Sequence, residues 1–359
     1  MGDGSAAAML IPLPGQPVGV PWPGATWPEA PVPPGVALEP LLGAAFDPEG
    51  PLATTYAVVV VHRGWVVADR YGGALPHFDR APEPVEPETP LLSWSMAKSM
   101  LHAVVGMLVA EGRLDLDAPV PVAAWSGDED PRCRITLAQL LAMRDGLVWA
   151  EDYVDAGVSD VIEMLFGRGR EDVAGFAADR ALAAPPGTRF NYSSGTSNLI
   201  SGLVREVLGG RERYERLLVE RLFGPIGMRS ARASFDAAGT WVASSYVHAT
   251  ARDFARFGLL YLRDGIWAGR RVLPEGWVDR ARTWQSTDPD GGKGYGEHWW
   301  VTGDDHGTFW ANGYEGQSIL VCPALDLVVV RLGRTDAEHY PELAAWRAAL
   351  VEQFVRAVP

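Results

Sequence analysis

Two residues three positions apart, Ser95 and Lys98, are of the types that perform nucleophilic catalysis. They open the stretch Ser95-Met96-Ala97-Lys98, just before the apolar run 99–110, which is typical of a helix buried on all sides and ends at Gly112. Residues three apart on a helix share one face, so the hydroxyl and the amine can meet. Desolvation would lower the pKa of the lysine, and a neutral amine could take the serine proton.

A structural alternative exists for this pair. Ser95 would cap the helix, and Lys98 would extend along it to solvent. Lys98 and Lys293 are the only lysines among 31 Lys and Arg residues, so the chain otherwise uses arginine for positive charge. A lysine in the first turn of an apolar helix, at the positive end of the helix dipole, needs a local reason. This favours the catalytic interpretation.

A second motif, Tyr192-Ser193-Ser194, follows the turn Pro185-Pro186-Gly187 and precedes a helix. A phenol on such a loop can point into a cleft and relay a proton among the lysine, the serine and a leaving group. The alternative is a surface tyrosine followed by two serines that cap the helix.

A third motif, 312–317, reads Asn-Gly-Tyr-Glu-Gly-Gln and enters the penultimate predicted strand. Glycines beside a strand allow a second backbone or a substrate to approach closely, so an exposed N–H here could bind an oxyanion. The alternative is an ordinary loop at the start of a strand.

The elements that must position these motifs are two hairpins with helices between them. YAVVVV from Tyr56 and WVVADRY after a turn at 62–64 predict one hairpin; 318–322 and 327–332 predict the other. Helices are predicted where apolar residues recur between Leu199 and Leu208, from an N-cap at Thr250, and over 337–358. Strands at both ends of the chain predict a single sheet that contains both termini.

The expected organisation is an α/β (α+β) fold in which helices flank an antiparallel sheet. Residues 1–40, rich in Pro and Gly, predict an extended arm held by Trp22 and Trp27. Residues 41–118 and 245–359 would form the sheet domain, and 119–244 a mostly helical insertion. The active site would lie between the two.

Composition excludes several classes of function. The chain has 359 residues, 31 Lys and Arg against 45 Asp and Glu, and a net charge of −14, which disfavours nucleic acid as a partner. Cys133 and Cys322 lie far apart, which argues against a disulfide scaffold or a cysteine metal site and fits a reducing compartment. No apolar run is long enough to span a membrane, and the amino terminus lacks the pattern of a signal peptide. We therefore expect a cytoplasmic protein.

Together the motifs resemble those of serine hydrolases with the penicillin-recognising, β-lactamase/transpeptidase-like fold, which include class C β-lactamases, DD-peptidases and esterases. Within this group the sequence is most similar to the 6-aminohexanoate-dimer hydrolase branch. Six motifs in order carry the resemblance: SMAKS (95–99), EDYVD (151–155), FNYSS (190–194), TARDFARFG (250–258), HWWVTG (298–303) and GYEGQ (313–317).

The resemblance implies a role for each matching residue. Ser95 is expected to be the nucleophile, Lys98 its base and Tyr192 the proton relay, and the backbone N–H groups of Ser95 and Tyr314 would form the oxyanion hole. Tyr153 matches a tyrosine that contacts the leaving amine in amide-hydrolysing members, although a packing tyrosine on a loop is equally compatible. The remaining expected substrate-binding residues are Ser194, Asn312, Gly313 and Glu315.

Departures from the family pattern limit the substrate class. β-Lactamases of this fold carry Lys-[Thr/Ser]-Gly on an edge strand, where this chain has Asn312-Gly313. The third position of the tyrosine motif is Ser194 instead of Asn, and Glu315 replaces a histidine of the nylon-oligomer branch. We therefore rank β-lactamase and DD-peptidase activity low.

The sequence thus predicts a serine hydrolase that forms an acyl-enzyme and cleaves small carboxylic esters or amides without a cofactor or metal. There is no Gly-x-Ser-x-Gly elbow, phosphate loop or histidine metal spacing. The alternatives are a non-catalytic relative that binds a peptide or small molecule, and a scaffold that oligomerises through its arm. The expected partner is a small-molecule ester or amide, with no nucleic acid and no membrane, and a homodimer stays open.

Overall fold

The computed structural model describes residues 10–76, 79, 81–127 and 129–357, and its centre is an eight-stranded antiparallel sheet. Its strands are β1 (Thr54–His62), β2 (Trp65–Tyr71), β10 (Ser286–Thr287), β11 (Gly294–Tyr295), β12 (Trp300–Val301), β13 (Phe309–Asn312), β14 (Ser318–Cys322) and β15 (Leu327–Arg334). Their order in the sheet is β10-β11-β12-β13-β14-β15-β1-β2. Three smaller sheets use β3 (Ala74–Leu75), β4 (Glu83–Pro84), β5 (Leu91–Leu92), β6 (Arg232–Ala233), β7 (Val247–Ala249), β8 (Ile266–Trp267) and β9 (Arg270–Arg271).

The two predicted hairpins are confirmed, and they lie side by side. β15 pairs with β1 from Thr54 opposite Arg334 to His62 opposite Leu327. The first and last strands of the chain therefore share one sheet, as the sequence predicts. β13 lies between β12 and β14, so the strand before Gly313 is an internal strand and not the expected edge strand.

The middle of β1, residues 56–61, is apolar on both sides because helices cover both faces of the sheet. Val59 and Val61 point into the larger core, and Val58 and Val60 point into a second core beneath the terminal helices. Successive side chains of a strand alternate between faces, so a strand covered on both sides carries no polar alternation.

The helices confirm the predicted elements, with shifts at their ends. They are α1 (Glu39–Ala45), α2 (Met96–Ala110), α3 (Leu137–Leu141), α4 (Asp160–Phe166), α5 (Val173–Ala178), α6 (Ser194–Leu208), α7 (Arg211–Leu217), α8 (Ala251–Leu262), α9 (Trp277–Arg282) and α10 (Tyr340–Ala357). Gly209 ends α6 in the left-handed conformation, and the Thr250 side chain caps α8. α10 begins three residues later than predicted because Ala337–His339 is a 3₁₀ turn, and residue 358 lies outside the described residues.

α2 is the central helix, because it packs against both α6 and β13. Its residues from Met96 to Leu108 are all buried, which explains why the sequence lacks a polar face there. The segment between α2 and α8 contains the helices α3 to α7 and a π-helix at Leu218–Phe223, joined by long stretches of turns and loops.

The described part of the amino-terminal segment, residues 10–38, runs over the body in an extended form. The Trp27 indole donates to the carbonyl of Arg252 over 3.2 Å, and the ring of Trp22 lies 5.1 Å from that of Trp267. Residues 1–9 of the predicted arm lie outside the described residues. No helix in the described ranges combines the length and the apolar character that crossing a membrane requires.

Candidate active site

The predicted motifs meet at a cavity of about 450 Å³. Ser95, Tyr153, Tyr192, Asn312, Gly313 and Tyr314 line it, together with Glu151, Arg189, Phe190, Asn191, Asp288, Pro289, Asp290, Trp300 and Tyr340. The wall is aromatic and polar, and more of its charged side chains are acidic than basic. Its lining residues come from widely separated parts of the chain, between Ser95 and Tyr340.

A sharp turn presents Ser95 to this cavity. Trp94 has φ 45°, a left-handed conformation that costs a bulky residue energy, so the surrounding packing must hold it. Ser95 follows as the residue before α2, is 8% exposed, and its side chain makes no capping hydrogen bond. The capping alternative for Ser95 is therefore wrong.

The Lys98 side chain extends from the first turn of α2 to the Ser95 hydroxyl, and the residue is 1% exposed to solvent. Its amine donates to Ser95 Oγ at 2.9 Å, to Ser194 Oγ at 3.0 Å and to the carbonyl of Ser244 at 3.0 Å. Burial lowers its pKa to about 8, and the charge of Glu151 opposes that shift. The alternative in which Lys98 extends to solvent is also wrong.

Tyr192 lies beside this pair on the loop before α6. The Lys98 amine is 4.9 Å from the centre of its ring, which packs edge-on against Tyr295. Burial raises the pKa of Tyr192, the charge of Glu151 raises it further, and a hydrogen bond with Ser95 opposes both. Tyr192 is thus a phenol at neutral pH, and it lines the same cavity as Ser95.

The two serines after Tyr192 do different things. Ser193 caps α6 by accepting from the N–H of Thr196 at 2.9 Å, as the structural alternative predicts. Ser194 is 1% exposed and lies behind Lys98, where it contacts the amine and does not line the cavity. Ser194 therefore does not face the cavity in which it was expected to contact substrate.

The loop after β13 meets the segment before Ser95. A Cβ at Gly313 would lie 2.5 Å from the carbonyl oxygen of Ser93, so only glycine fits this approach. The ring of Tyr314 packs edge-on against Trp94 at 5.6 Å and stacks on Tyr153 at 4.8 Å. Neither the N–H of Ser95 nor that of Tyr314 donates to another of the described residues.

Buried polar groups hold this loop from behind. Glu315 adopts φ 58°, and its carbonyl accepts from the N–H of Thr335 at 3.0 Å and from Arg331 Nη1 at 3.1 Å. Arg331 is fully buried. The Glu315 carboxylate lies 3.3 Å from Arg334 and does not line the cavity, so this expected substrate contact is not brought to the site.

Glu151 is a site residue that the sequence analysis did not single out. Its Oε1 accepts from the hydroxyls of Ser194 and Tyr153, both at 2.5 Å. Its Oε2 accepts from the Ser194 N–H at 2.8 Å and from the indole of Trp149. The only sequence signal for Glu151 is its position in the EDYVD motif, two residues before Tyr153.

Among the described residues, no group of three or more His, Cys, Asp or Glu side chains could hold a metal ion. The polar groups at the site include those of Ser95, Lys98, Tyr153, Tyr192 and Glu151.

Comparison with known proteins gives a consistent result. Residues 50–353 match the family described as Beta-lactamase. The chain is 31% identical over 342 residues to the 6-aminohexanoate-dimer hydrolase of Paenarthrobacter ureafaciens, spanning 87% of this chain and 82% of that protein.

Solved structures show the same fold. A 6-aminohexanoate-dimer hydrolase homologue from Bacillus anthracis superposes with a TM-score of 0.72 at 22% identity, covering 96% of this chain and 92% of that one. A family VIII carboxylesterase superposes with a TM-score of 0.69 at 15% identity, covering 92% and 99%. The expected β-lactamase/transpeptidase-like fold is confirmed.

Proposed function

The chain belongs to the β-lactamase family and is a serine hydrolase, and on that premise we propose that it cleaves small carboxylic esters or amides through an acyl-enzyme on Ser95. The observation that carries the proposal is the buried Lys98 amine, 2.9 Å from Ser95 Oγ at the wall of the cavity. A lysine whose pKa is lowered to about 8 supplies neutral amine near neutral pH, which a general base needs.

Acylation begins when neutral Lys98 takes the proton of Ser95 and Oγ attacks the substrate carbonyl carbon. The carbonyl oxygen becomes an oxyanion, and the N–H groups of Ser95 and Tyr314 stabilise it. The bond to the leaving group then breaks. Tyr192 gives its proton to the departing alcohol or amine and recovers one from the Lys98 ammonium.

Deacylation repeats these steps with water as the nucleophile. Neutral Lys98 removes a proton from water, which attacks the ester carbon of the acyl-enzyme. The carboxylic acid leaves, and Ser95 regains its proton. Every proton transfer uses a side chain of this chain, so the proposed cycle needs no cofactor.

The substrate class follows from the cavity wall. Its aromatic side chains and its acidic residues Glu151, Asp288 and Asp290 suit apolar or cationic acyl and leaving groups better than anionic ones. Tyr153 lines the cavity, which supports a contact with a leaving amine, and one relative is named a 6-aminohexanoate-dimer hydrolase. Membership of the β-lactamase family does not imply β-lactam hydrolysis, because Asn312-Gly313 provides no cation for a β-lactam carboxylate.

We also propose the division into a sheet domain and a helical insertion that share one site. The cavity takes Ser95 from the segment 41–118, residues 151–192 from the segment 119–244, and residues 288–340 from the segment 245–359. This supports catalysis at a junction of the three segments.

Intact-protein mass after exposure to a fluorophosphonate tests the nucleophile. We expect one adduct and turnover of p-nitrophenyl acyl esters by the unmodified protein, and neither with Ser95→Ala. Ser99→Ala is the matched control, because Ser99 lies on the same helix with its hydroxyl bonded to the His298 carbonyl. An adduct that persists in Ser95→Ala contradicts the proposal.

The non-catalytic alternative predicts a ligand-binding protein with no adduct and no turnover. The relatives give that alternative no support, since those named for an activity are hydrolases. Assembly stays a prediction: the mass in solution before and after deletion of residues 1–40 distinguishes an arm-dependent homodimer from a monomer.

A further inference from the structure

A carboxylate that the proposed mechanism does not use lies one hydroxyl away from its general base. The Ser194 hydroxyl lies between the Lys98 amine, at 3.0 Å, and Glu151 Oε1, at 2.5 Å. Ser194 and Glu151 are 43 residues apart in sequence, and both are at least partly buried. This chain of hydrogen bonds links a buried amine to a buried carboxylate.

The donors around Glu151 fix the direction of the hydrogen bonds from Lys98 through Ser194 to Glu151. Its two oxygens receive hydrogen bonds from two hydroxyls, one backbone N–H and one indole N–H. The backbone and indole groups can only donate, and an ionised carboxylate can only accept. The Ser194 proton therefore points to Glu151, and the lone pairs of Ser194 Oγ face Lys98.

We propose that Glu151 is a positioning residue for the general base: through Ser194 it keeps the Lys98 amine directed at Ser95 and provides the counter-charge when that amine becomes an ammonium. This inference rests on the proposed function, because it assumes that Lys98 takes the Ser95 proton. Glu151 makes no bond to the reacting atoms in this role.

The tyrosines and the histidine around Lys98 are neutral at the working pH. Burial raises the pKa of Tyr153, Tyr192 and Tyr295, and it lowers that of His298 to about 3. Asp145, on the loop packed against α6, is bonded to Thr196 and the N–H of Leu147. Glu151 is therefore the carboxylate whose charge acts on Lys98 among the described residues.

The same charge selects which group is the base. It favours an ammonium at Lys98 and disfavours a phenolate at Tyr192, whose pKa it raises. The proton released by Ser95 therefore goes to Lys98, and Tyr192 remains a donor for the leaving group. The lysine and the tyrosine do not exchange roles.

Replacement of Glu151 by glutamine changes the hydrogen bonds between this residue, Ser194 and Lys98. The amide oxygen can accept from the two N–H donors, which leaves its NH₂ group facing the hydroxyls of Ser194 and Tyr153. The Ser194 hydroxyl is then turned so that its proton points to Lys98. An ammonium there loses an acceptor and its counter-charge, so the amine should deprotonate at lower pH.

The test is the second-order rate of fluorophosphonate labelling between pH 5.5 and 10, for the unmodified protein, Glu151→Gln, Glu151→Asp and Ser194→Ala. We expect the rise of rate with pH to move down by about one pH unit or more in Glu151→Gln and Ser194→Ala. The rate at its plateau should fall at least tenfold. Glu151→Asp, which keeps the charge, should lie closer to the unmodified profile.

Asp152→Asn is the matched control, because it removes a charge from the same loop. The Asp152 side chain accepts from the N–H groups of Val154 and Asp155, and asparagine can do the same. Its profile should coincide with that of the unmodified protein. Equal shifts in Asp152→Asn and Glu151→Gln would show a general charge effect and overturn the inference.

The outcomes separate this inference from the proposed function. If the unmodified protein labels on Ser95 but the Glu151→Gln profile keeps its midpoint, Glu151 has a structural role only and the inference fails alone. If the unmodified protein does not label, both fail. If Glu151→Gln does not fold, Ser194→Ala and Glu151→Asp decide the result, with thermal unfolding as the check of folding.

Discussion

Lys98 Nζ lies 2.9 Å from Ser95 Oγ, and its other two hydrogen bonds go to Ser194 and to the carbonyl of Ser244. All three acceptors are neutral oxygens, so no carboxylate is bonded directly to this buried amine. The folded protein thus carries a group that is more easily deprotonated than in water. The buried Lys98 amine lowers the stability of the fold, and the proposed reaction requires it.

Replacing Lys98 by methionine should abolish turnover and stabilise the fold at neutral pH. The pKa of Lys98 is about 8 in the folded protein and 10.5 when unfolded, so below pH 8 the buried ammonium carries its full cost. We expect the free energy of unfolding of Lys98→Met to exceed that of the unmodified protein by up to about 3 kcal/mol at pH 7. The difference should shrink as pH rises from 8 to 10.5.

Urea unfolding at pH 7 and pH 10 measures this difference. Lys293→Met is the control, because Lys293 is the other lysine and its side chain is exposed. The difference in free energy of unfolding between Lys293→Met and the unmodified protein should be the same at both pH values. An advantage of Lys98→Met that is equal at both pH values would contradict the prediction.

The unmodified enzyme should show a kcat/KM that rises with pH to a plateau, with a midpoint near pH 8. Neutral Lys98 is the active form, and its pKa is about 8. Tyr192 should cause no decline below pH 10, since burial raises the pKa of its phenol. Initial rates with a p-nitrophenyl ester between pH 5.5 and 10 check both statements; a bell centred below pH 7 would disagree with them.

Tyr192→Phe should harm amide hydrolysis more than ester hydrolysis. An amine must receive a proton to leave, whereas p-nitrophenolate leaves without one. We expect kcat for an amide to fall about 10²- to 10⁴-fold, with a smaller loss for the p-nitrophenyl ester. Tyr295→Phe removes a hydroxyl from the neighbouring ring, which does not line the cavity, and should leave the ratio of the two rates unchanged.

Gly313→Ala should lower kcat. The added Cβ would lie 2.5 Å from the Ser93 oxygen, so the loop must move and the N–H of Tyr314 with it. Loss of one oxyanion donor typically costs about 10²- to 10³-fold in kcat. Steady-state kinetics with an ester measures the effect.

Gly43→Ala is the control for that substitution. Gly43 is an exposed residue of α1, and nothing lies within 4 Å of the Cβ position. Alanine there should keep full activity and add about 0.5–1 kcal/mol of stability. Equal activity of Gly313→Ala and Gly43→Ala would remove Tyr314 from the proposed oxyanion hole.

The local sequence pattern was sufficient to predict the strands and helices whose apolar residues recur at regular spacing. The β-branched runs before and after His62 predicted β1 and β2, and the spacing from Leu199 to Leu208 predicted α6. Both ends of the chain were predicted to share one sheet. The start of α10 and the internal position of β13 were missed, because a 3₁₀ turn and a two-residue strand leave little periodic signal.

The sequence by itself determined the family, the fold, and which serine, lysine and tyrosine to examine, since these follow from residue types at fixed spacings. Only the tertiary structure decided what surrounds them. It brings Glu151 to Ser194 across 43 residues, turns Ser194 from the cavity to Lys98, and pairs Glu315 with Arg334. Such contacts depend on how distant segments pack, and a spacing rule records only neighbours on one helix or strand.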